Sequence, residues 1–507
     1  MKNYKLKITT LLTIIIFGCS LEENPPFLSN ENVYNTPGSA KSALTGLYES
    51  LVGYNYYGNQ FVFMTNLSSG YFVTRRGGNN NGSADNLTLS SLIVTDNILQ
   101  STNSWQAIYS SIARANDAIA SAPRYDNPEN NDEMVLNDVV GQAYFFRAFN
   151  YFNLVRLYGQ VPLRTTPATS TTTNLAKSSE KQIYDQIIQD CKTAQDYLNG
   201  SVGNGTIKPY AADMLLAKVY MTLATAPSAF TESGLNYWQL AYDEAIKVYG
   251  KYSLVSDYSS LFNKETANNT VESIFEIQSN LTVSLDHGRA FTAANYLNNL
   301  NTFGWLKVNV EVYNSHASTY PTDPRIAATY LTQYVRQNNN TVGRFYPVNP
   351  NRPNFEFAFP YLFKLGSTDQ TDTTLESIKN FKVYRYADLL LMLAEISNEL
   401  QNGEQIGYVT EVLNRVGLSP HSGYTGSREA FRNAIMKEYQ YELLGEAHEW
   451  FNNRRRGYQY FLDNVIIPHN TATTFKDNID VTHEDDESIV MQIPIPQDEI
   501  NSNQELN

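Results

Sequence analysis

The chain is poor in cysteine. Two cysteines in 507 residues cannot supply a disulfide framework, so ordinary side-chain packing must hold the fold together. Histidine is scarce too. There are six, none paired at metal-ligand spacing, and no His-Glu-x-x-His helix. A Gly-x-Ser-x-Gly elbow, a P-loop and a Gly-x-Gly-x-x-Gly turn are also missing, which removes the nucleophile, nucleotide and dinucleotide chemistries that leave sequence motifs. A basic excess is absent: the net charge is −14. That argues against nucleic acid and anionic membrane surfaces, whose binding depends on neutralising phosphate with Lys and Arg. One chemistry survives these absences, because two carboxylates placed for glycoside hydrolysis leave no trace in sequence.

No segment after the first residues is apolar for long enough to span a bilayer. The first residues read as a targeting segment. Lys2, Lys5 and Lys7 form a basic start, "LLTIIIF" is a short apolar stretch, and "GCSLEE" follows. A small residue before Cys at this place resembles a bacterial lipobox. Ile16 and Gly18 fit it, and Phe17 is bulkier than the pattern's usual residue. The expected organisation is a signal peptide over 1–18, a tether over 19–30 and one domain over 31–507. Length alone would allow about three domains. Cys19 would then be acylated on sulfur and amine, and two or more chains give stable anchoring where one does not. With Cys19 lipidated no intrachain disulfide can form. Cys191 shares a helical apolar stripe with Ile183, Ile187, Ala194 and Leu198 and reads as a small buried hydrophobe.

Aromatic residues are plentiful. They make up 13% of the chain, with 36 tyrosines. The densest run is "GQAYFFRAFNYFNLVRLYGQVPL", Gly141 to Leu163. On a helical wheel its aromatics point in nearly every direction, and a helix apolar all round is buried. This run therefore predicts core, not a ligand platform, with Arg147 and Arg156 in buried or half-buried pairs. Gly159 and Pro162 end the helix. Other helices are predicted over Trp105–Ala120, Ser179–Leu198 with a capping box from Ser179 to Gln182, Pro209–Ala226, Trp238–Tyr249, Tyr384–Gln401 with Gly403 as C-cap, and Arg428–Arg456 with breaks. "ESIFEIQ" and "QIPIP" predict short extended segments. Long polar loops are expected over Arg75–Ser91 and from Leu281 to about Gly366. "HEDDE", His483 to Glu487, reads as solvated surface.

The ordered motifs resemble those of one family. "FFRAFNYFNLVRLYGQVPL", "WQAIYSSIARAN", "YAADMLLAKVYMTLA", "ESIFEIQ", "VYRYADLLLMLAEISNE", "EYQYELLGEAHEWFNNRRR" and "IPIPQDEINSNQELN" are similar, in order, to the signature blocks of the SusD/RagB-like family of Bacteroidetes outer-membrane glycan-binding lipoproteins. The similarity runs from Cys19 to Asn507. Glu449 stands where the family favours Arg, Asn452 where it favours Asp, and the "LNRVGL" block is shortened. The resemblance implies a mainly α fold of tetratricopeptide-like helical hairpins, with large loop-rich decoration and few short strands. It implies a non-catalytic protein that captures an oligosaccharide or polysaccharide and delivers it to a SusC-like TonB-dependent transporter. Glu22 and Glu23, just after Cys19, resemble the signal that sends such lipoproteins to the cell surface, so the expected location is the outer membrane, lipid-anchored and surface-exposed.

Sugar binding needs an aromatic face for the C–H side of a pyranose and paired polar groups for its hydroxyls. Such residues belong in exposed loops. Three stretches qualify. "GYNYYGNQF" offers Tyr54, Tyr56 and Tyr57. "YFVTRRGGNNN" offers Tyr71, Arg75, Arg76, Asn79 and Asn80. "NYLNNLNTFGWLK" offers Tyr296, Phe303 and Trp305. For each tyrosine, local packing competes with ligand contact. Acidic net charge tilts the expectation toward a neutral glycan. No cofactor is expected, and the one metal considered is a structural Ca²⁺ at "DNPENNDE", where Pro128 breaks the EF-hand pattern and no Gly sits sixth. Peptide binding, as in RagB-like members, and glycoside hydrolysis stay open as alternatives. Cys19→Ala is expected to release the protein from membranes on fractionation; retention in the membrane fraction contradicts the lipoprotein reading.

Overall fold

The computed structural model describes residues 33–74, 84–169, 174–298, 300–336, 339–344, 346–347, 359–472 and 482–506. Cys19 and the tether lie outside them. The helices in chain order are α1 (Pro37–Val52), α2 (Gln60–Leu67), α3 (Ala84–Ser90), α4 (Leu99–Ser121), α5 (Asn131–Tyr158), α6 (Glu180–Tyr197), α7 (Pro209–Ala224) and α8 (Tyr237–Val248). Three short ones follow in the loop-rich centre: α9 (His287–Ala290), α10 (Val310–Thr319) and α11 (Arg325–Thr329). The chain then returns to longer helices in α12 (Tyr386–Leu400), α13 (Gln405–Arg415) and α14 (Arg428–Leu443), followed by the short α15 (Glu449–Arg455). Consecutive helices pack on one another from α4 through α8, and α12 joins α8, α13 and α14. Among the described residues no helix is long and apolar enough to cross a membrane.

Local sequence explains the helix ends. Asn130 caps α5 by accepting the Glu133 N–H at 3.0 Å, and Glu133 returns a bond to the Glu129 N–H at 2.7 Å. Gly159, at φ +69°, stops α5. Ser179 and Gln182 form the reciprocal capping box of α6, and Pro209 opens α7. Two boundaries differ from the expectation. Gln401, not Gly403, takes the left-handed C-cap of α12. The last long helix is broken into α14 and α15 by Gly445 at φ +88° and Ala447 at φ +62°. A Cβ on Gly445 would lie 2.5 Å from Leu362 Cδ2, so close packing on Leu362 requires glycine there. Within the stretch expected as loop, Ala84–Ser90 is helical. The "QIPIP" stretch forms no strand.

The strands are short: β1 (Phe72–Val73), β2 (Ser273–Ile277), β3 (Lys307–Val308), β4 (Tyr330–Leu331), β5 (Gln333–Arg336), β6 (Thr341–Arg344), β7 (Tyr361–Leu362) and β8 (Phe381–Arg385). Four make an antiparallel sheet ordered β1-β3-β7-β4. β2 and β8 form an antiparallel ribbon that pairs Ile277 with Phe381. That ribbon meets α5. Phe275 lies edge-on to Phe145 and Phe149 at 5.4 and 5.6 Å between ring centroids, and Tyr57 stacks on Phe149 at 6.0 Å. The aromatic run is core, with only Tyr144 and Arg156 half-buried between Tyr144 and Tyr158. Arg147 holds Asp190 through two 2.7 Å bonds inside this core. Arg156 departs from the expectation: its guanidinium is sandwiched by Phe152 and Phe451 and makes no ion pair among the described residues.

A buried ionic cluster joins the helices to the loop-rich half. Arg385, at the end of β8, donates to Glu272 at 2.7 Å, to Glu442 at 2.5 Å and to Glu446 at 2.8 Å. Glu442 on α14 also accepts from Arg325 of α11 at 2.8 Å and Arg415 of α13 at 2.5 Å. Lys364 completes Glu446 at 2.8 Å. Burial pushes both carboxyls up, but Arg415, Arg385 and Arg325 outweigh it at Glu442 and hold it well below the usual carboxylate range. Arg385 and Lys364 hold Glu446 at about 2.

Glu449 behaves in the opposite way. Burial lifts it to about 7 against backbone N–H bonds from Glu449 itself and Gly445, and its Oε2 has no partner.

Two tests follow from these groups. Removing one member of a buried ion cluster leaves the others uncompensated. Glu442→Ala is expected to lower unfolding free energy by ~3–5 kcal/mol in urea titration, and a loss under about 1 kcal/mol contradicts a connected cluster. The pH profile carries both signs. Glu446, depressed in the fold, stabilises above the unfolded value and loses that contribution as pH falls from about 4.5 to about 2. Glu449, raised in the fold, favours the folded state at low pH and loses its contribution as pH rises from about 4.5 to about 7. Glu449→Gln is therefore expected to flatten the fall in melting temperature between pH 5 and 8. An unchanged slope there means that Glu449 is not the group responsible.

Candidate functional site

Of the aromatic residues singled out in sequence, Phe303 and Trp305 form a stacked pair at the protein surface. Both are half-buried, and their rings stack 5.1 Å apart at 9°. Trp305 rests edge-on against Phe63 of α2 at 5.6 Å. The backbone fixes their common orientation. The Phe303 N–H donates to Arg289 O at 3.0 Å and the Trp305 N–H to Ala290 O at 2.9 Å. Gly304 between them sits at φ +57°, and a Cβ there would meet the Tyr361 ring at 2.4 Å. Only glycine permits this strip to lie so close to the sheet.

The α9 turn brings polar groups to the same place. Arg289 is 53% exposed in its side chain, with Asp286 as a loose partner at 3.9 Å. The loop Gly53–Asn59 is pinned beside it. The Asp286 N–H donates to Gly58 O at 3.1 Å, and Asn59 Nδ2 donates to Asp286 Oδ2 at 3.2 Å. His287 Nε2 lies 2.9 Å from Tyr57 O. Gly58 has no room for a side chain, because a Cβ would approach Val52 O to 2.3 Å. Tyr54 on this loop is 48% exposed and within electrostatic reach of Asp286 and Arg289. Partial burial and then Asp286 raise the Tyr54 hydroxyl, so it stays protonated and able to donate. Partial burial also raises Asp286, against the pull of Arg289. On the other side of α9, Gly288 borders a cavity of about 230 Å³ lined by Lys264, Thr371, Asp372, Glu376 and Ser377.

Several expected contact residues are elsewhere. Tyr56 and Tyr57 are buried; the Tyr56 hydroxyl donates to Asn150 at 2.8 Å, and Tyr57 packs on Phe149 and Phe381. Tyr71 is buried with its hydroxyl on Asn453 at 2.9 Å. Tyr296 is 7% exposed, wedged edge-on between Tyr334 and Phe363. Each has its ring against protein on both sides, so none offers a face to a ligand. Arg75, Arg76, Asn79 and Asn80 lie outside the described residues. Asp286 has no local signal in sequence, because its bonds to Asn59 and Gly58 join residues more than two hundred apart. At Asp126–Glu133 the Asn130 and Glu133 side chains cap α5. Among the described residues no group of three or more His, Cys, Asp and Glu is placed to hold a metal. In "HEDDE" the acidic residues are exposed or half-buried, whereas His483 is buried and stacked on His469 at 3.4 Å.

The helical scaffold agrees with what comparison with known proteins shows. The chain belongs to the SusD family, whose model matches residues 108–507. SusD-like protein P2 of Formosa agariphila is 26% identical over 498 aligned residues, covering 92% of this chain and 94% of that relative. The crystal structure of a SusD homolog from Bacteroides thetaiotaomicron superposes with a TM-score of 0.75 at 22% identity, over 96% of this chain and 99% of the other. A laminarin-binding SusD-like protein superposes with a TM-score of 0.70 at 21% identity, over 92% and 98% of the two chains.

Proposed function

We propose that this protein is a cell-surface glycan-binding lipoprotein that captures an oligosaccharide or polysaccharide on the Phe303–Trp305 platform and passes it to a SusC-like TonB-dependent transporter in the outer membrane. The observation that carries the reading is the stacked, half-buried aromatic pair, bonded through its backbone to the α9 turn that carries the exposed Arg289. An apolar ring face accepts the C–H side of a pyranose, and the tyrosine hydroxyl, guanidinium and carboxylate offer donors and acceptors to its hydroxyls. The flanking charges are one of each sign, Arg289 and Asp286, which suits a neutral sugar better than a polyanion. The laminarin-binding neighbour makes a laminarin-derived oligosaccharide the first ligand to try.

The protein acts by binding alone in this reading, with no cofactor and no bond broken. Its membrane attachment is the acyl group on Cys19. Delivery to a transporter fits a site built on loops and carried by a rigid helical scaffold, because the ligand must be held openly and released.

Calorimetric titration against neutral and anionic oligosaccharides, with product analysis of each mixture, tests this. Saturable binding without cleavage is the expected result. Cleavage contradicts the non-catalytic reading, and binding of extended peptides in place of any sugar moves the protein to the RagB-like peptide binders. Trp305→Ala is expected to weaken the bound sugar by ~1–3 kcal/mol, the range seen when a stacking aromatic is truncated. Unchanged affinity removes this strip from the site.

A further inference from the structure

Away from the platform, α5, α7, β8 and α15 enclose a small open cavity of about 40 Å³. Arg156 is its notable group. The guanidinium carbon lies 3.6 Å from the Phe152 ring centre and 3.7 Å from that of Phe451. Its Nε donates to Phe152 O and its Nη2 to Asn153 Oδ1, both at 2.8 Å. Nη1 donates to no protein acceptor among the described residues, and no carboxylate pairs with the group. The neighbouring cations are compensated: Lys218 by Asp388 at 2.7 Å and Arg455 by Glu395 at 2.5 Å. Arg454, which also lies on an aromatic ring, gives its hydrogens to the carbonyls of Val490, Ser68 and Trp450. Among the cations that line this cavity, Arg156 is the one with no carboxylate partner in the described residues and with a nitrogen left free to donate. His448 lines the same cavity with a sealed Nε2 that has no partner.

A sandwiched guanidinium is held flat and ready to meet a planar acceptor. Leaving such a charge without a counter-ion in a low-dielectric cleft is unfavourable. Further polar groups border the space, among them the Lys218 ammonium, the Thr222 hydroxyl, the Asn452 amide and the Glu446 carboxylate, whose charge Arg385 and Lys364 already neutralise. The volume is about three times the ~10–15 Å³ that a single water requires. That admits a carboxylate head group and excludes a pyranose ring. We propose that this cavity receives one carboxylate, with Arg156 as its counter-charge and Lys218, Thr222 and Asn452 as flanking contacts. The ligand is an acid head group, free or at the end of a chain, and it binds apart from the sugar platform.

Thermal unfolding of the full chain at pH 7, in sodium acetate against sodium chloride of equal ionic strength, tests the site. A ligand that binds only the folded state raises its melting temperature. A saturable rise in acetate, absent in chloride, is expected, and Arg156→Gln is expected to lose it. Asn452→Asp retains the arginine and sets a carboxylate at the cavity edge. It is expected to melt higher than wild type in chloride and to respond no further to acetate. An acetylated dipeptide with a free C-terminus, added as a second probe, raises the melting temperature if the site takes chain ends as well as free acids. Equal melting in the two salts, or an undiminished acetate response in Asn452→Asp, overturns the proposal.

Discussion

The structure depends on the buried contact between Arg385 and the two glutamates of α14 and its following turn, Glu442 and Glu446. Arg385 ends the β2–β8 ribbon, which is itself packed on the aromatic core of α5. Glu442 is shared with Arg325 and Arg415, so one carboxylate ties together a strand end and three helices. A buried cluster of this kind is weak evidence for net stability, because every charge in it has left water. Its value lies in geometry. Each guanidinium accepts few arrangements of its partners, and the loop-rich half of the molecule is thereby held in one register against the helices.

That register reaches the platform through the backbone. The long central segment leaves the β2 strand, turns at α9, and returns to the sheet through β3. The strip with Phe303 and Trp305 is bonded to α9 on one side and continues into β3 on the other. The loop with Tyr54 is clamped to α9 from the opposite direction. A loop at 53–59 and a strip at 303–305, more than two hundred residues apart in the chain, therefore meet at a four-residue helix. A site built this way presents its side chains openly, yet its backbone is fixed by paired N–H and carbonyl groups.

How much of this was legible in sequence depended on the range of the forces involved. The aromatic run at Tyr144–Tyr158 could be placed in the core because helical periodicity is local and its apolar residues pointed all round. The caps at Ser179 and Pro209 were legible for the same reason. The partial exposure of Trp305 was legible from its setting, an aromatic beside glycine in a polar loop. Tyr56 and Tyr57 were not separable from Tyr54, since all three share one short loop; the bonds from Asp286 and His287 decide which ring turns inward. Arg289 gave no local signal at all. Its carbonyl and guanidinium acquire a role only when Phe303 folds onto it. Arg156 read as a paired charge because two aromatic neighbours satisfying a guanidinium, Phe152 nearby and Phe451 almost three hundred residues away, cannot be inferred from either stretch alone.

The central claim is that a glycan is held on the Phe303–Trp305 strip. A crystal structure of the protein with a laminarin-derived oligosaccharide tests it most directly. The account predicts a pyranose ring lying against Trp305 or Phe303, with its hydroxyls within hydrogen-bond reach of Arg289, Asp286 or Tyr54. A sugar ordered elsewhere on the molecule, with this strip left bare, would contradict it.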